Sequence, residues 1–108
     1  MRLITRRTIE AFAESHEDAA QALADWCAMV EAARWTDALH LQTTSQFPAR
    51  PIGGKRVVFN IKGNSYRIIC AVRYADITRD LNGVVLVKFV GTHAQYDDID
   101  AETVEYSA

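Results

Sequence analysis

The stretch "RVVFNIKGNSYRIICAVRY", Arg56–Tyr74, decides the fold. Two runs of apolar and β-branched residues flank Lys62–Ser65, and the Gly-Asn pair at the centre of that segment is typical of a tight hairpin turn. A third run, "VVLVKFV" at Val84–Val90, follows a polar loop that ends in Asn82-Gly83. Together the three runs predict a three-stranded antiparallel meander.

Upstream of this hairpin the pattern becomes helical. "RLIT", Arg2–Thr5, is short and β-branched, which favours an edge strand before Thr5 caps a helix. The stretch up to His16 is amphipathic with a helical period. "SHED" then places Ser15 three residues before Asp18, as in a capping box, and predicts a second helix that extends to about Arg34.

The segment Trp35–Gly54 shows no regular period. Pro48 and Pro51 argue against regular structure here, so the segment is predicted to be a connection. The order is then a short N-terminal strand, two helices and the meander, which is an α+β fold with the helices on one face of the sheet. At 108 residues, the chain is expected to form one domain over residues 1–108.

The net charge of −2 hides a segregation along the chain. Residues 1–49 carry four basic and seven acidic side chains, residues 50–93 carry eight basic and two acidic, and residues 94–108 carry five acidic and none basic. A basic block between acidic ends is suited to binding a polyanion, although a solvated sheet surface would explain the same counts.

Cellular location and metal binding are constrained by what the sequence lacks. No run approaches the roughly 20 apolar residues that cross a bilayer, and "MRLITRRTIE" lacks the features of a signal peptide, so we expect a cytoplasmic protein without membrane contact. Cys27 and Cys70 are predicted to be buried free thiols. The cysteines and the three histidines are too dispersed to predict a metal site.

Strand alternation places two arginines, Arg67 and Arg73, on the more polar face of "YRIICAVRY". If helices cover the other face, both arginines are expected to look outward. Three further residues have side chains that bind phosphate or transfer protons. They are Lys62 in the turn, Lys88 on the last strand and His93 after it. Alternation does not determine which way these three residues face.

Each of these residues alone is explained by an ordinary surface role, but their combination suits RNA. Arginine and lysine bind phosphate, histidine transfers protons near neutral pH, and a tyrosine such as Tyr96 stacks on a base. No phosphate-binding glycine loop, nucleophile elbow or zinc-protease motif occurs in the sequence. The residues therefore indicate contact with nucleic acid, without establishing catalysis.

Two longer stretches, "VVFNIKGNSYRIICAVRY" and "VVLVKFVGTHAQYD", closely resemble the HigB family of bacterial type II toxins, within the RelE/ParE-like group. The resemblance covers Arg56–Asp97, and "KGNSYR" with "GTHAQYD" carries it. It implies a RelE-like sheet and a ribosome-dependent mRNA endonuclease that inhibits translation. It also implies neutralisation by a helix-turn-helix antitoxin, so that the toxin meets DNA only indirectly, through this partner at their shared promoter.

The resemblance further implies RNA cleavage without a metal or other cofactor, by attack of the ribose 2′-OH on the neighbouring phosphate. On this chain, Arg67 of "YR" becomes the candidate to stabilise the transition-state phosphate. His93 becomes the candidate acid or base, and Tyr96 a proton-transfer and stacking residue. The resemblance thus implies that the strand ends at "GTHAQYD" so that His93 and Tyr96 can stand over the sheet.

Four further residues are candidates for RNA binding. Lys62 and Asn64 of "KGN" are implied by the resemblance as substrate-positioning groups. Arg73 and Lys88 lie outside the two short motifs and are added for their charge.

Two other functions remain open. Similar folds in the ParE branch poison DNA gyrase, so a non-nucleolytic toxin that binds a protein target is the first alternative. A non-toxic binding module is the second, because no proposed residue is uniquely catalytic.

The acidic segment "YDDIDAETVEY", Tyr96–Tyr106, directly follows the candidate site. We expect it to lie close to the basic face and to weaken binding of free RNA by repulsion that salt screens. A solvated terminal helix or tail would explain the same sequence equally well.

Overall fold

The computed structural model describes residues 1–105 and shows an α+β fold with one five-stranded mixed sheet. The strands run in the spatial order β1-β5-β4-β3-β2. Strand β1 pairs in parallel with β5 at one edge, and the other four strands form an antiparallel meander. The helices and strands are β1 (Arg2–Ile4), α1 (Arg6–Ser15), α2 (Ala20–Ala32), α3 (Ala38–Thr44), β2 (Ala49–Ile52), β3 (Arg56–Ile61), β4 (Tyr66–Arg73), β5 (Val84–Thr92) and α4 (His93–Asp97).

The central hairpin forms as the sequence predicted. Ile61 pairs with Tyr66 across the four-residue turn, and β3 pairs with β4 along its whole length. Lys62 and Gly63 adopt positive φ angles of 53° and 65°, a left-handed conformation that glycine adopts readily. The N-terminal edge strand and the first two helices are also confirmed.

The hydrophobic core lies between the helices and one face of the sheet. Alternate residues of β4 point into it together with Trp26 of α2 and Phe59 of β3, whose rings meet edge to face at 5.4 Å. The β4 residues in the core are Tyr66, Ile68, Cys70 and Val72. Arg67 and Arg73 therefore belong to the opposite face, as the alternation predicted, and we call this the outer face.

The segment Trp35–Gly54 was wrongly predicted to be an irregular connection, because it contains both α3 and β2. Helix α3 begins where the Asp37 side chain accepts a hydrogen bond from the His40 amide at 2.7 Å. Pro51 lies in β2, which is the edge of the sheet, where a residue without an N–H is tolerated.

The capping box expected at Ser15 and Asp18 is absent. Helix α1 continues to Ser15, a single 3₁₀ turn spans Glu17–Ala19, and α2 begins after Ala19 without a side-chain cap. The Asp18 carboxylate instead accepts a hydrogen bond from the hydroxyl of Tyr66 on β4. Asp18 therefore contacts strand β4, whereas the sequence predicted a local contact with Ser15.

The outer face is more buried than expected. Val58 and Ile69 are 2% and 0% exposed, although neither belongs to the core cluster. Helix α4 packs on β4 and β5, and Arg56 donates hydrogen bonds to the carbonyls of Ala101 and Val104. The C-terminal segment therefore covers part of this face. Tyr106, the last residue of the acidic stretch, lies outside the described residues.

Strand β5 contains a bulge that alters its alternation. Ile69 pairs with Phe89 and Cys70 pairs with Val87, so that Lys88 is an extra residue. Val87 lies in the core cluster, whereas Lys88 and Phe89 lie outside it. Regular alternation from Val87 would direct Phe89 into the core, so the bulge is what places Phe89 outside it.

None of the helices within residues 1–105 is long and apolar enough to cross a membrane.

Candidate active site

The candidate site lies at the end of the sheet where the turn of the central hairpin meets α4. Arg67 of β4 stands between Asn60 of β3 and Gly91 of β5. Gly91 allows two side chains to pack closely against the backbone here, since a Cβ would come within 2.5 Å of Phe89 Cζ and 2.9 Å of Gln95 Oε1. A larger residue would displace these two side chains.

Strand β5 ends because Thr92 caps a new helix. The Thr92 hydroxyl accepts a hydrogen bond from the Gln95 amide at 3.1 Å, and the Gln95 side chain accepts one from the Thr92 amide at 2.9 Å. This is a complete capping box. The His93 amide also donates to the Ser65 carbonyl at 2.9 Å, which ties the start of α4 to the hairpin turn.

Arg67 is a buried cation held by neutral acceptors. Only 7% of the residue is exposed. Its Nη1 donates to the carbonyls of Asn64 at 3.0 Å and Tyr66 at 3.2 Å, and its Nη2 donates to Asn64 Oδ1. Within residues 1–105, no carboxylate forms a salt bridge with Arg67. A buried charge without a counter-ion is costly, so such a position is typical of a site that receives an anion.

Tyr96 of α4 connects Arg67 with a second arginine. The Arg67 guanidinium lies 5.4 Å from the centre of the Tyr96 ring, within cation–π range. The Tyr96 hydroxyl accepts a hydrogen bond from Nη2 of Arg50 at 3.1 Å. Arg50 was not predicted, because the prolines around it concealed strand β2. Its position two residues after Pro48 in the basic block was the only available signal.

His93 occupies the first turn of α4 and is accessible. Its side chain is 48% exposed, and its Nδ1 lies 3.8 Å from Asp97 Oδ1, one helical turn later. This separation is too long for a hydrogen bond, so the His93 ring is not fixed by Asp97.

Lys62 is directed toward the helices. Its Nζ donates to the carbonyl oxygen of Asp18 at 3.0 Å and to Oδ2 at 3.2 Å. Tyr66 donates to Oδ1 of the same carboxylate at 2.7 Å. The Tyr66 hydroxyl, and secondarily Lys62, lowers the pKa of Asp18, and the same carboxylate raises the pKa of Tyr66.

Lys88 is bound by the C-terminal segment. Its Nζ donates to Glu105 Oε2 at 2.7 Å, and Arg56 Nη2 donates to Glu105 Oε1 at 3.1 Å. The hydrogen bond from Lys88 is the main cause, and Arg56 a further one, of a lowered pKa for Glu105.

Arg73 lies at the opposite end of β4, where it pairs with Val84. Six residues of strand separate it from Arg67, a distance of roughly 20 Å at about 3.3 Å per residue. The structure thus brings Asn64, Arg67 and Tyr96 together, with His93 on the same short helix. It places Lys62, Lys88 and Arg73 elsewhere.

No cluster of three or more histidine, cysteine or acidic side chains suited to hold a metal ion occurs among the described residues. Cys27 and Cys70 are free and buried, as predicted.

A family model described as HigB toxin, the RelE-like toxic component of a toxin–antitoxin system, matches residues 19–99. The chain belongs to the HigB toxin family. The matched range covers the hairpin and α4 and therefore all seven predicted site residues. No curated protein matches the chain. Membership in the HigB family makes the chain the toxin of a toxin–antitoxin system, which implies an antitoxin partner.

Proposed function

We propose that this HigB-family toxin is a ribosome-dependent mRNA endonuclease that inhibits translation in the cytoplasm without a metal or other cofactor. The observation that supports this most strongly is Arg67, a buried guanidinium that neutral oxygens orient and that no carboxylate neutralises within residues 1–105. A cation fixed in this way is prepared to stabilise negative charge that develops on a phosphate.

The proposed reaction is an internal transfer within the RNA. The 2′-oxygen forms a bond to the adjacent phosphorus and loses its proton to a base, while the bond from phosphorus to the 5′-oxygen breaks and that oxygen receives a proton. Arg67 faces the phosphate, and Asn64 holds Arg67. We assign one of the two proton transfers to His93, because imidazole titrates near neutral pH. Tyr96 serves as a base-stacking surface and a second proton-transfer candidate.

Dependence on the ribosome is consistent with an exposed site. His93 and Arg50 are both exposed, so an RNA strand needs a second surface to hold it in the reactive geometry. We assign that role to the ribosome. The antitoxin is expected to carry a helix-turn-helix domain and to provide the only link to DNA.

Expression in bacteria tests this proposal. Arg67→Ala and His93→Ala should each relieve growth arrest, whereas Arg73→Ala, which removes an exposed arginine from the far end of the same strand, should remain toxic. Circular dichroism and thermal melting establish that each variant is folded. Mapping of mRNA 5′ ends should show cuts at defined codon positions for the active proteins only.

Three outcomes would overturn the catalytic residues or the nuclease activity. A folded Arg67→Ala/His93→Ala protein that remains fully toxic would exclude these residues as its catalytic groups. Double-strand DNA breaks with intact mRNA would indicate a gyrase-directed toxin instead. Normal growth on expression of the unaltered chain would indicate a non-toxic binding module.

A further inference from the structure

Two arginines on the outer face are equally buried but differ in their partners. Arg56 and Arg67 are each 7% exposed. Arg67 contacts only neutral acceptors and the Tyr96 ring, whereas Arg56 forms an ion pair with Glu105 at 3.1 Å. Within residues 1–105, the same face therefore holds one buried cation without a carboxylate partner and one that already binds a carboxylate.

Glu105 bridges two cations that come from different strands. Its two oxygens accept hydrogen bonds from Arg56 of β3 and Lys88 of β5. Lys88 directly follows Val87 of the core cluster, so strand alternation directs its side chain away from the core. A carboxylate with both oxygens engaged by an arginine and a lysine adopts the arrangement in which the same cations bind a phosphate.

Arg56 has hydrogen-bond partners besides Glu105. Arg56 also donates to the carbonyls of Ala101 at 3.2 Å and Val104 at 2.6 Å. The side chain of Lys88 is 17% exposed, whereas that of Glu105 is 63% exposed. The anion is thus the most accessible member of the cluster. Its departure would leave Arg56 buried without a carboxylate, so another anion would be favoured in its place.

The cluster lies within reach of RNA bound at Arg67. Arg56 pairs with Ala71, four residues along β4 from Arg67, which corresponds to roughly 13 Å at about 3.3 Å per residue. That distance equals about four stacked nucleotides at roughly 3.4 Å each. A groove of ≈ 450 Å³, bordered by Lys88, Gln95 and Glu105 among others, lies beside the cluster.

We propose that Arg56 and Lys88 form a second binding subsite for an RNA phosphate, which the carboxylate of Glu105 occupies in the free protein. The inference rests on the proposed function in taking RNA as the ligand. RNA that binds at both subsites must displace Glu105. Because the competing carboxylate is part of the same chain, its effective concentration is high and the affinity for free RNA is low.

Glu105→Gln tests the subsite, with Glu102→Gln as the matched control. Both changes remove one negative charge from the same segment, but Glu102 forms no salt bridge among the described residues. The probe is a 2′-O-methylated oligoribonucleotide, which binds without being cleaved. Affinity is measured over a salt series, and thermal melting confirms that each variant is folded.

We expect Glu105→Gln to bind the probe several-fold more tightly than Glu102→Gln at low salt. The slope of log affinity against log salt should also become steeper by about 0.7 for each additional phosphate that the protein neutralises. Lys88→Ala in the Glu105→Gln background should restore the shallower slope. Equal affinities and slopes for Glu105→Gln and Glu102→Gln would overturn the subsite, as would a complete lack of RNA binding.

This experiment tests RNA binding separately from RNA cleavage, because the probe cannot be cleaved. A difference in slope supports the subsite even if no variant cuts mRNA. Conversely, mRNA cleavage by the unaltered protein together with identical slopes would leave the nuclease standing and remove the subsite.

Discussion

The guanidinium of Arg67 lies 5.4 Å from the centre of the Tyr96 ring, and the hydroxyl of the same tyrosine accepts a hydrogen bond from Arg50 at 3.1 Å. One side chain of α4 therefore organises two cations from different strands. The first cation is buried and the second is exposed. In the proposed function, Arg67 binds a phosphate of the RNA.

Substitutions of Tyr96 should separate the ring from the hydroxyl. Tyr96→Phe keeps the ring over Arg67 and loses one hydrogen bond of about 1 kcal/mol, so mRNA cleavage should slow by about fivefold. Tyr96→Ala also loses the cation–π contact and the stacking surface, and it should slow cleavage by about 100-fold. Single-turnover cleavage rates measure both effects. Equal rates for the two variants would show that the ring has no role.

Gly91→Ala should disturb the site through its neighbours. The new Cβ would meet the ends of the Phe89 and Gln95 side chains, which must turn away. Movement of Gln95 breaks the capping box of α4, at an expected cost of about 1 kcal/mol in unfolding free energy. Denaturant titration measures this loss, and Gln95→Ala serves as the control for the cap alone. An unchanged midpoint for Gly91→Ala would show that the close packing is not required.

The contact between Tyr66 and Asp18 should make stability depend on pH. The folded-state pKa of Asp18 is lowered, first by the hydroxyl of Tyr66 and then by Lys62. The stabilisation is therefore present above the unfolded pKa of 3.8 and is lost as the pH falls through the lower folded value. Tyr66→Phe should be less stable than the unaltered protein at pH 7, and the difference should shrink below about pH 4. A difference that stays constant down to pH 2 would contradict this assignment.

Cys27 and Cys70 should be unreactive in the folded protein. Burial raises the pKa of Cys27 from 9.0 to about 11 and that of Cys70 well above 9.0. At neutral pH, the thiolate fraction of Cys27 is thus about 100-fold below that of an ordinary thiol. A Leu39→Cys variant provides the exposed control, because Leu39 is 68% exposed. Rapid modification of both native thiols by a disulfide reagent would contradict the burial.

Local patterns were sufficient to predict the central hairpin. The alternation in β4 correctly assigned Tyr66 and Ile68 to the core and Arg67 to the other face, because successive side chains of a strand point to opposite faces of the sheet. Alternation could not predict that the outer face would be covered. That burial depends on Arg56 binding carbonyls 45 and 48 residues later in the chain.

The site was predicted less completely than the fold, because its contacts also join residues that are far apart in the sequence. Lys88 binds Glu105, which lies 17 residues later in the chain, and no local sequence pattern indicates this contact. Lys62 pairs with Asp18 from the helical layer, although it lies in the turn beside Asn64. Arg50 was overlooked because the prolines beside it were interpreted as a sign of a loop. An edge strand tolerates proline as well.

Cleavage of ribosome-bound mRNA by the purified toxin tests the central claim most directly. The unaltered protein and Arg73→Ala should cut the message at defined codon positions, whereas Arg67→Ala should cut at least about 100-fold more slowly, since one fixed donor to a transition-state oxyanion contributes about 10²–10³ in rate. Equal melting temperatures of the three proteins establish that a difference in cleavage rate reflects the reaction and not unfolding. Intact message after incubation with the unaltered protein, or equal rates for Arg67→Ala and Arg73→Ala, would contradict the account.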